Sequence, residues 1–531
     1  MFDFEPQLSA FILFFVKMLL MIFVLLFLFN FKLIRREFKK IKNKTWVILF
    51  FIILIAFFLR FSWIPHEHFI VDDGLNDLNI ARTIQKHNVQ AMCYFVSGDS
   101  CNSFFYVFFW PPGYHLILSN VFKLFGTSQG VAFNFSALLG TFSVFLAFLL
   151  GYLWTKKDDI ALMGAFAFGI IPILLKFSGI ISPNFFSLII IITTFIFFEI
   201  FLKNKEKGTF LLFLSSLLYA VYSRPENIFL VPVFFFIFIV REAFDKFIKK
   251  NNKIFFFFST ISFFILLAPA FVLIYISSNI IPQEGWSPSL RETIGYFFKY
   301  SLSNLFFLIN PLINTIAFTL FVAIGAIFTF LKEKKIFLSF FAFFAVFFVV
   351  YSSYDHGIFE RELIKHSLTL YVSLFFFFVK GLDYFFSLIE DKNIKKIMTA
   401  VVLIVLVVSA IPTIPFIFYK NRLIISVDLL SSVEKEISDD SYIIAANPSL
   451  PYGTIEKNTV SYHIFMNSNN YFHNKEVFLL KDHWWYYHNE EKKHTIPMNF
   501  IIENYDLEPI KVISANTAGR ETFGVYKLIK K

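Results

Sequence analysis

Twelve uninterrupted apolar stretches run through this chain, at 8–31, 46–63, 131–154, 160–180, 184–202, 209–223, 226–240, 254–281, 304–331, 336–354, 367–388 and 396–419. About 20 apolar residues carry a helix through a ~30 Å hydrocarbon core, so a chain that repeats this pattern so often has one class of fold open to it. The expectation is a polytopic α-helical membrane protein with about twelve transmembrane helices. The short stretches at 209–223 and 226–240 read equally as one broken or re-entrant element. Composition agrees: 57% of residues are hydrophobic and 16% charged, where a soluble protein carries about 25% charged. The first stretch does not read as a cleavable signal peptide. It is too long, follows Asp3 and Glu5, and lacks a small-residue cleavage site.

A net charge of +10 would suit a nucleic-acid partner, but its distribution assigns it to topology. Segment 32–45 holds seven Lys and Arg residues and segment 241–253 holds five. More lie in "TKK" (155–157), "KNKEK" (203–207), "KEKK" (332–335) and "KNIKK" (392–396). These six loops alternate along the chain and so share one side, the cytoplasm. The opposite side receives 64–130, 181–183, 224–225, 282–303, 355–366 and the tail from 420. No nucleic acid is needed to explain the charge.

Two of the opposite-side pieces are large. In the tail, "SYIIAA", "EVFLL" and "FGVYKLI" read as strands and 427–437 as a helix, a small C-terminal extracytoplasmic α/β domain. The expected plan is an N-terminal transmembrane helix with its basic cytoplasmic loop over 1–45, then a transmembrane region over 46–419. That region contains the first extracytoplasmic loop, 64–130, and the C-terminal domain follows over 420–531.

The first loop carries the most distinctive chemistry. "FIVDDGLNDLNIARTIQKHN" (69–88) sets Asp72 and Asp73 just beyond a span. Adjacent carboxylates at that depth can act as general base toward a hydroxyl or amide nucleophile, or hold a divalent metal such as Mg or Mn through oxygen. They equally suit the cap of a helix beginning near Leu75, where negative charge is favoured. In "FFWPPGYHLILSNVFKLFG" (108–126), Pro-Pro makes a rigid start to a helix that is apolar on one side. His115, Asn120 and Lys123 interrupt it, and Gly126 stops it. It reads as interfacial rather than spanning. Cys93 and Cys101, the chain's two cysteines, share this loop on the oxidising side, which favours a disulfide between the two motifs. In "HEH" (66–68), His66 and His68 would share a face if extended, but this is not the spacing of a helical HExxH site. A polar interfacial loop is the plainer reading.

These residues resemble a known family. An acidic pair after a span, "A-R-x-I" a few residues on, "PPGYHLIL", and "LFG" before the next span look like the GT-C membrane glycosyltransferases. The similar group is the dolichyl-phosphate-mannose–protein mannosyltransferase and aminoarabinose-transferase type. The motifs cover 46–240, the architecture 46–420, and 8–31 looks like an extra N-terminal helix. The resemblance implies an inverting, single-displacement transfer of a sugar from a polyprenyl-phosphate donor to a protein, lipid or glycan acceptor at the outer membrane face. Asp72 takes the place of the family's base, and Asp73 stands where Glu is common, supporting Asp72 or a metal. One departure stands out. In "FSGIISPNFF", Asn184 occupies the position of a second acid often found in the family, and Asn carries no negative charge.

A lipid-phosphate donor needs cations at headgroup depth. Candidates for substrate binding are Arg224 in "YSRPENIF", Arg291 in "SPSLRETIGYFFKY", and Arg361, Lys365 and His366 in "YSSYDHGIFERELIKHS", with His115 from the first loop. Arg361 and Lys365, four apart, would share a helical face as a phosphate clamp. For each cation the plain alternative is a snorkelling side chain or a helix-end salt bridge. In the tail, "KDHWWYYHNEEKKH" contains His483, His488 and His494. Its aromatics read as packing onto the membrane face or as the lining of an acceptor groove. Two other functions remain open: a polyprenyl-lipid transporter or flippase, against which the lack of an internal repeat argues, and a non-catalytic lipid-sugar-binding membrane protein, which Asn184 favours.

Overall fold

The computed structural model of the protein describes residues 4–66, 71–98, 100–108, 110–241, 253–280, 290–311, 313–353, 359, 361–418, 424–482, 495–514 and 522–531. At 4, 71–72, 273–280, 290–291, 361–363, 424, 495–496, 514 and 522 it describes the backbone alone. The molecule is an integral membrane protein. Eight described helices are long and apolar enough to cross a bilayer: Glu5–Phe38, Asn43–Trp63, Gln129–Thr155, Pro183–Asn204, Lys253–Val272, Lys334–Ser352, Ile364–Ser387 and Lys392–Phe418. Shorter apolar helices cover Lys207–Val221, Pro225–Val240 and Ile316–Lys332.

Two of the apolar stretches are broken, each at a proline. The stretch 160–180 splits into α6 (Asp158–Ile170) and α7 (Pro172–Phe177). The stretch 304–331 divides between a helix ending at Ile309 and one starting at Ile316. The gap, 310–315, opens with Asn310 and Pro311, and the Thr315 hydroxyl caps the new helix by accepting from the Phe318 N–H at 3.2 Å. Proline offers no N–H for the preceding turn, so an apolar run alone does not guarantee a continuous helix. Deeper in the bundle, Ile316–Lys332 and Tyr371–Ser387 cross with their backbones almost touching. A Cβ on Gly325 would collide with the Phe377 carbonyl, and one on Gly381 with the Phe321 carbonyl. Small residues of this kind let membrane helices approach closely.

Helix α1 (Phe4–Phe38) lies along α9 (Lys207–Val221), with Phe23 stacked on Tyr219 and Phe15 against Tyr222. Next come α2 (Asn43–Phe58, continued by a wider turn over Leu59–Trp63), α3 (Val71–His87), α4 (Gly113–Phe125), α5 (Gln129–Thr155) and α8 (Pro183–Asn204). The basic loops lie together at one end of the bundle, where Arg36 meets Glu206 and Arg241 meets Glu199. The other end carries a sheet.

That sheet differs from the expected plan. Its seven strands run β2-β1-β4-β3-β5-β7-β6. Five come from the tail: β3 (Tyr442–Ala445), β4 (Asn458–Ser461), β5 (Val477–Lys481), β6 (Tyr505–Ser514) and β7 (Thr522–Lys530). Strands β1 (Ala91–Ser97) and β2 (Ser100–Tyr106) come from the first loop, and β1 pairs antiparallel with β4, Phe95 opposite Val460. The first loop and the tail therefore build one sheet between them, and the boundary at 420 divides the sequence but not the fold. Cys93 and Cys101 are disulfide-bonded across the β1–β2 hairpin, Cα atoms 5.7 Å apart. Alternate residues of β3 feed two cores: Ile443 joins Leu75 of α3, Leu430 and Val525, while Ile444 joins Phe95, Val460 and Leu479.

Candidate functional site

The site grows outward from the top of α2. Arg60 is buried there and donates to the Ala56 and Gly169 carbonyls, each at 3.2 Å, while the His66 ring meets the Arg60 carbonyl at 2.7 Å. His66 is thus a packed structural residue, stacked on Phe133. Its sequence neighbours Glu67 and His68 lie outside the described residues. Helix α3 then begins at Val71, not near Leu75, so both acids stand in its first turn, where the helix dipole favours negative charge. The Asp72 side chain lies outside the described residues. Asp73 is ion-paired with Lys365, which comes from a 3-10 stretch, Arg361–Leu370, on the far side of the site.

One turn further along α3, Asp77 is buried and lies 2.7 Å from the His115 Nε2 of α4, also buried. Burial raises the Asp77 carboxyl above its ordinary range. The hydrogen bond and charge of His115 oppose this, Asp73 adds to it and Lys365 subtracts from it. His115, expected to bind substrate, is instead closed off from solvent and tied to a carboxylate. Its predicted setting was right in part: α4 starts directly after Pro111 and Pro112 and stops at Gly126, whose φ of 91° suits glycine alone.

The rest of the polar face of α3 is held by the C-terminal chain. Asn79 donates to the Ser449 hydroxyl at 2.8 Å and accepts from the Cys93 N–H at 3.0 Å. Arg82 of "A-R-x-I" donates to Thr127 O at 3.0 Å, Tyr452 O at 2.9 Å and Glu456 at 2.6 Å, and it covers the Tyr452 ring. Gly453 lets the helix Ser449–Ile455 approach, since a Cβ there would strike Leu75. The roles of Asp77, Asn79 and Arg82 were not read from the sequence. The available signal was the run of polar residues Asp73, Asn76, Asp77, Asn79 and Arg82 set among the apolar residues of one short helix.

Arg224 is ion-paired with Glu226 two residues on, through two nitrogens and both carboxylate oxygens. This is the helix-end salt bridge weighed as the plain alternative. Beyond it, α10 (Leu230–Val240) helps to line an apolar groove of about 360 Å³ with α9 and the helix Lys253–Ile280. Phe213, Leu217, Phe234, Phe238 and Phe263 face it. His366 is buried, its ring 5.6 Å from that of Tyr351. The side chains of Arg291 and Arg361, and the aromatic motif with His483, His488 and His494, lie outside the described residues. Asn184 sits in the first turn of α8, its Nδ2 donating to the Ser182 hydroxyl at 3.0 Å and its Oδ1 without a partner among the described residues. Of the residues considered for a divalent cation, Asp73 faces Lys365 and Asn184 is neutral.

The model of a family of unknown function, DUF6541, matches residues 12–362. The chain belongs to this family. A curated relative from Aquifex aeolicus (strain VF5), described as an uncharacterized protein, is 24% identical over 306 residues, and the match spans 56% of each chain, about half the length of the relative. Among solved structures, ArnT from Cupriavidus metallidurans bound to undecaprenyl phosphate matches with a TM-score of 0.57 at 10% identity, over 92% of this chain and 98% of that one. The same enzyme in the apo state matches with a TM-score of 0.57 at 9% identity, over 91% and 97%. This DUF6541 member therefore has an ArnT-like fold.

Proposed function

We propose that the protein is an inverting glycosyltransferase, moving a sugar from a polyprenyl-phosphate donor to an acceptor at the extracytoplasmic membrane face. The observation that carries this reading is the meeting of Lys365 with Asp73 in the first turn of α3. A cation suited to a lipid phosphate next to Asp73, one residue from the proposed base, supports this reading. Arg224 stands just before the helix lining the apolar groove, a fit for a lipid with an anionic head and an apolar tail. The ArnT structure with undecaprenyl phosphate supports the same substrate class. The basic loops at the far end of the bundle support an extracytoplasmic sheet end, by the positive-inside rule.

In the reaction, Asp72 takes the proton of the acceptor hydroxyl or amide while that atom bonds to the anomeric carbon. The bond from that carbon to phosphate oxygen breaks, and polyprenyl phosphate leaves with its charge held by Lys365, Arg224 and the cations Arg291 and Arg361. Asn184, neutral at a place where an acid would suit, favours a second reading in which the protein binds lipid-linked sugar without transferring it.

The test uses membranes containing wild type or Asp72→Asn, supplied with radiolabelled polyprenyl-phosphate sugars, with label counted in acceptor and in bound lipid. Wild type should transfer, and Asp72→Asn should fall by about 100-fold or more. Equal transfer by both would remove Asp72 as base. Binding without transfer by either would establish the second reading.

A further inference from the structure

The reaction leaves one buried pair unused. Asp77 Oδ1 and His115 Nε2 are 2.7 Å apart, with side chains 3% and 1% exposed. Among the described residues, Asp77 Oδ2 and His115 Nδ1 have no hydrogen-bond partner. The pair joins the two helices that carry the loop's two motifs, α3 with the acids and α4 after Pro-Pro. Asp77 lies four residues from Asp73, so the two share a face of α3.

We propose that Asp77–His115 is the positioning pair of the transfer site: it holds one proton between its members, keeps a second negative charge off the face beneath Asp73, and so fixes the first turn of α3 where Asp72 meets the acceptor. The inference rests on the transfer reading for its rate measurement and not for its proton.

Three titratable groups among the described residues act on the pair. Asp73 approaches from α3 itself, Lys365 from the 3-10 stretch, and Tyr114 from α4. Like charges four apart on a helix repel, and a buried carboxylate without compensation is costly. With one proton the pair is neutral overall, and burial favours placing it on Asp77, which then donates to His115. When that proton leaves to solvent, a bare carboxylate is left beside Asp73, and Lys365 is drawn between two acids. The ion pair that sets the first turn of α3 then weakens. Asp77 and His115 act through α3 rather than on substrate.

Full-length protein in nanodiscs tests this in two ways. Infrared difference spectra of wild type against Asp77→Asn should contain the C=O stretch of a protonated carboxylic acid at neutral pH, lost on alkaline titration. In transfer assays, Asp77→Ala should fall about 10–100-fold, the scale of a misaligned reacting group. Asp77→Asn should recover most of that rate and lose the alkaline limb of the wild-type pH profile. No carboxylic band in wild type, or an Asp77→Asn profile that keeps the wild-type limb at a lower level, overturns the proposal. If the variants do not fold, the wild-type band must still vanish over the pH range in which the rate falls, and a mismatch refutes it. A band in a wild type that transfers no sugar would sink the transferase reading and leave the proton assignment standing.

Discussion

The two ends of the helix bundle treat charge in opposite ways. At the basic end, carboxylates meet cations across helices: Glu37 with Lys203, Glu206 with Arg36, Glu199 with Arg241, Asp383 with Lys157 and Glu333 with Lys380. One or both members of each pair reach water, and such pairs contribute about 0–1 kcal/mol. At the sheet end, Arg82, Asp77 and His115 are withdrawn from water, and Asp77 and His115 each keep an atom without a partner among the described residues. An unmet buried polar group costs about 1–3 kcal/mol. Folds tolerate that cost mainly where a ligand or a reaction uses the group. Under the proposed function, the basic end serves orientation in the membrane and the sheet end serves the transfer.

Matched substitutions at the two ends would break this contrast if it is false. Asp72→Asn should lower transfer by about 100-fold or more, while Asp383→Asn at the basic end should leave it within about twofold, as expected for a partly exposed pair. Comparable losses from both would mean that the acids of α3 have no special role.

Arg82→Ala comes next in size. It removes donors from the Thr127 and Tyr452 carbonyls and from Glu456, and hydrogen bonds from a charged donor are worth about 1.5–3 kcal/mol. A loss of about 2 kcal/mol should appear in denaturant unfolding, and hydrogen exchange should rise in α3 and in Ser449–Ile455 together. Faster exchange in one of the two alone would contradict the clamp.

A pH series sharpens the comparison further. Burial raises the Asp77 carboxyl in the folded protein. The folded state therefore binds a proton that the unfolded chain has released, and stability falls as pH rises. The contribution is complete below the ordinary carboxylate value of about 4 and is lost as pH climbs through the raised folded value. Protection factors of the α3 amides, corrected for the pH dependence of intrinsic exchange, should follow this trend in wild type and be flat in Asp77→Asn.

Much of this layout was legible in the sequence, because hydrophobic length and loop charge act locally. Eight of the twelve expected spans, the start of α4 after Pro112, its stop at Gly126 and the Cys93–Cys101 pair follow from neighbours in the chain. The shared sheet was not legible, since β1 pairs with β4 some 360 residues away and nothing local in "AMCYFVS" names that partner. The site was half legible for the same reason. The acids announce themselves, but Lys365, 292 residues from Asp73, and His115, 38 from Asp77, become partners only through tertiary packing.

The smallest expected effect tests the basic end on its own terms. Arg36 and Glu206 meet at 3.3 Å with side chains 56% and 34% exposed. Water and salt screen such a pair, and two long side chains must be ordered to form it. Arg36→Gln should therefore change unfolding stability by less than about 0.5 kcal/mol, and high salt should erase even that. The same substitution still removes one of seven positive charges from 32–45, so its visible consequence should be a small fraction of inverted chains, read by protease accessibility of the tail in sealed vesicles. A large stability loss without inversion would mean that the basic end stores folding energy as the sheet end does, and the division of labour between the two ends would fail.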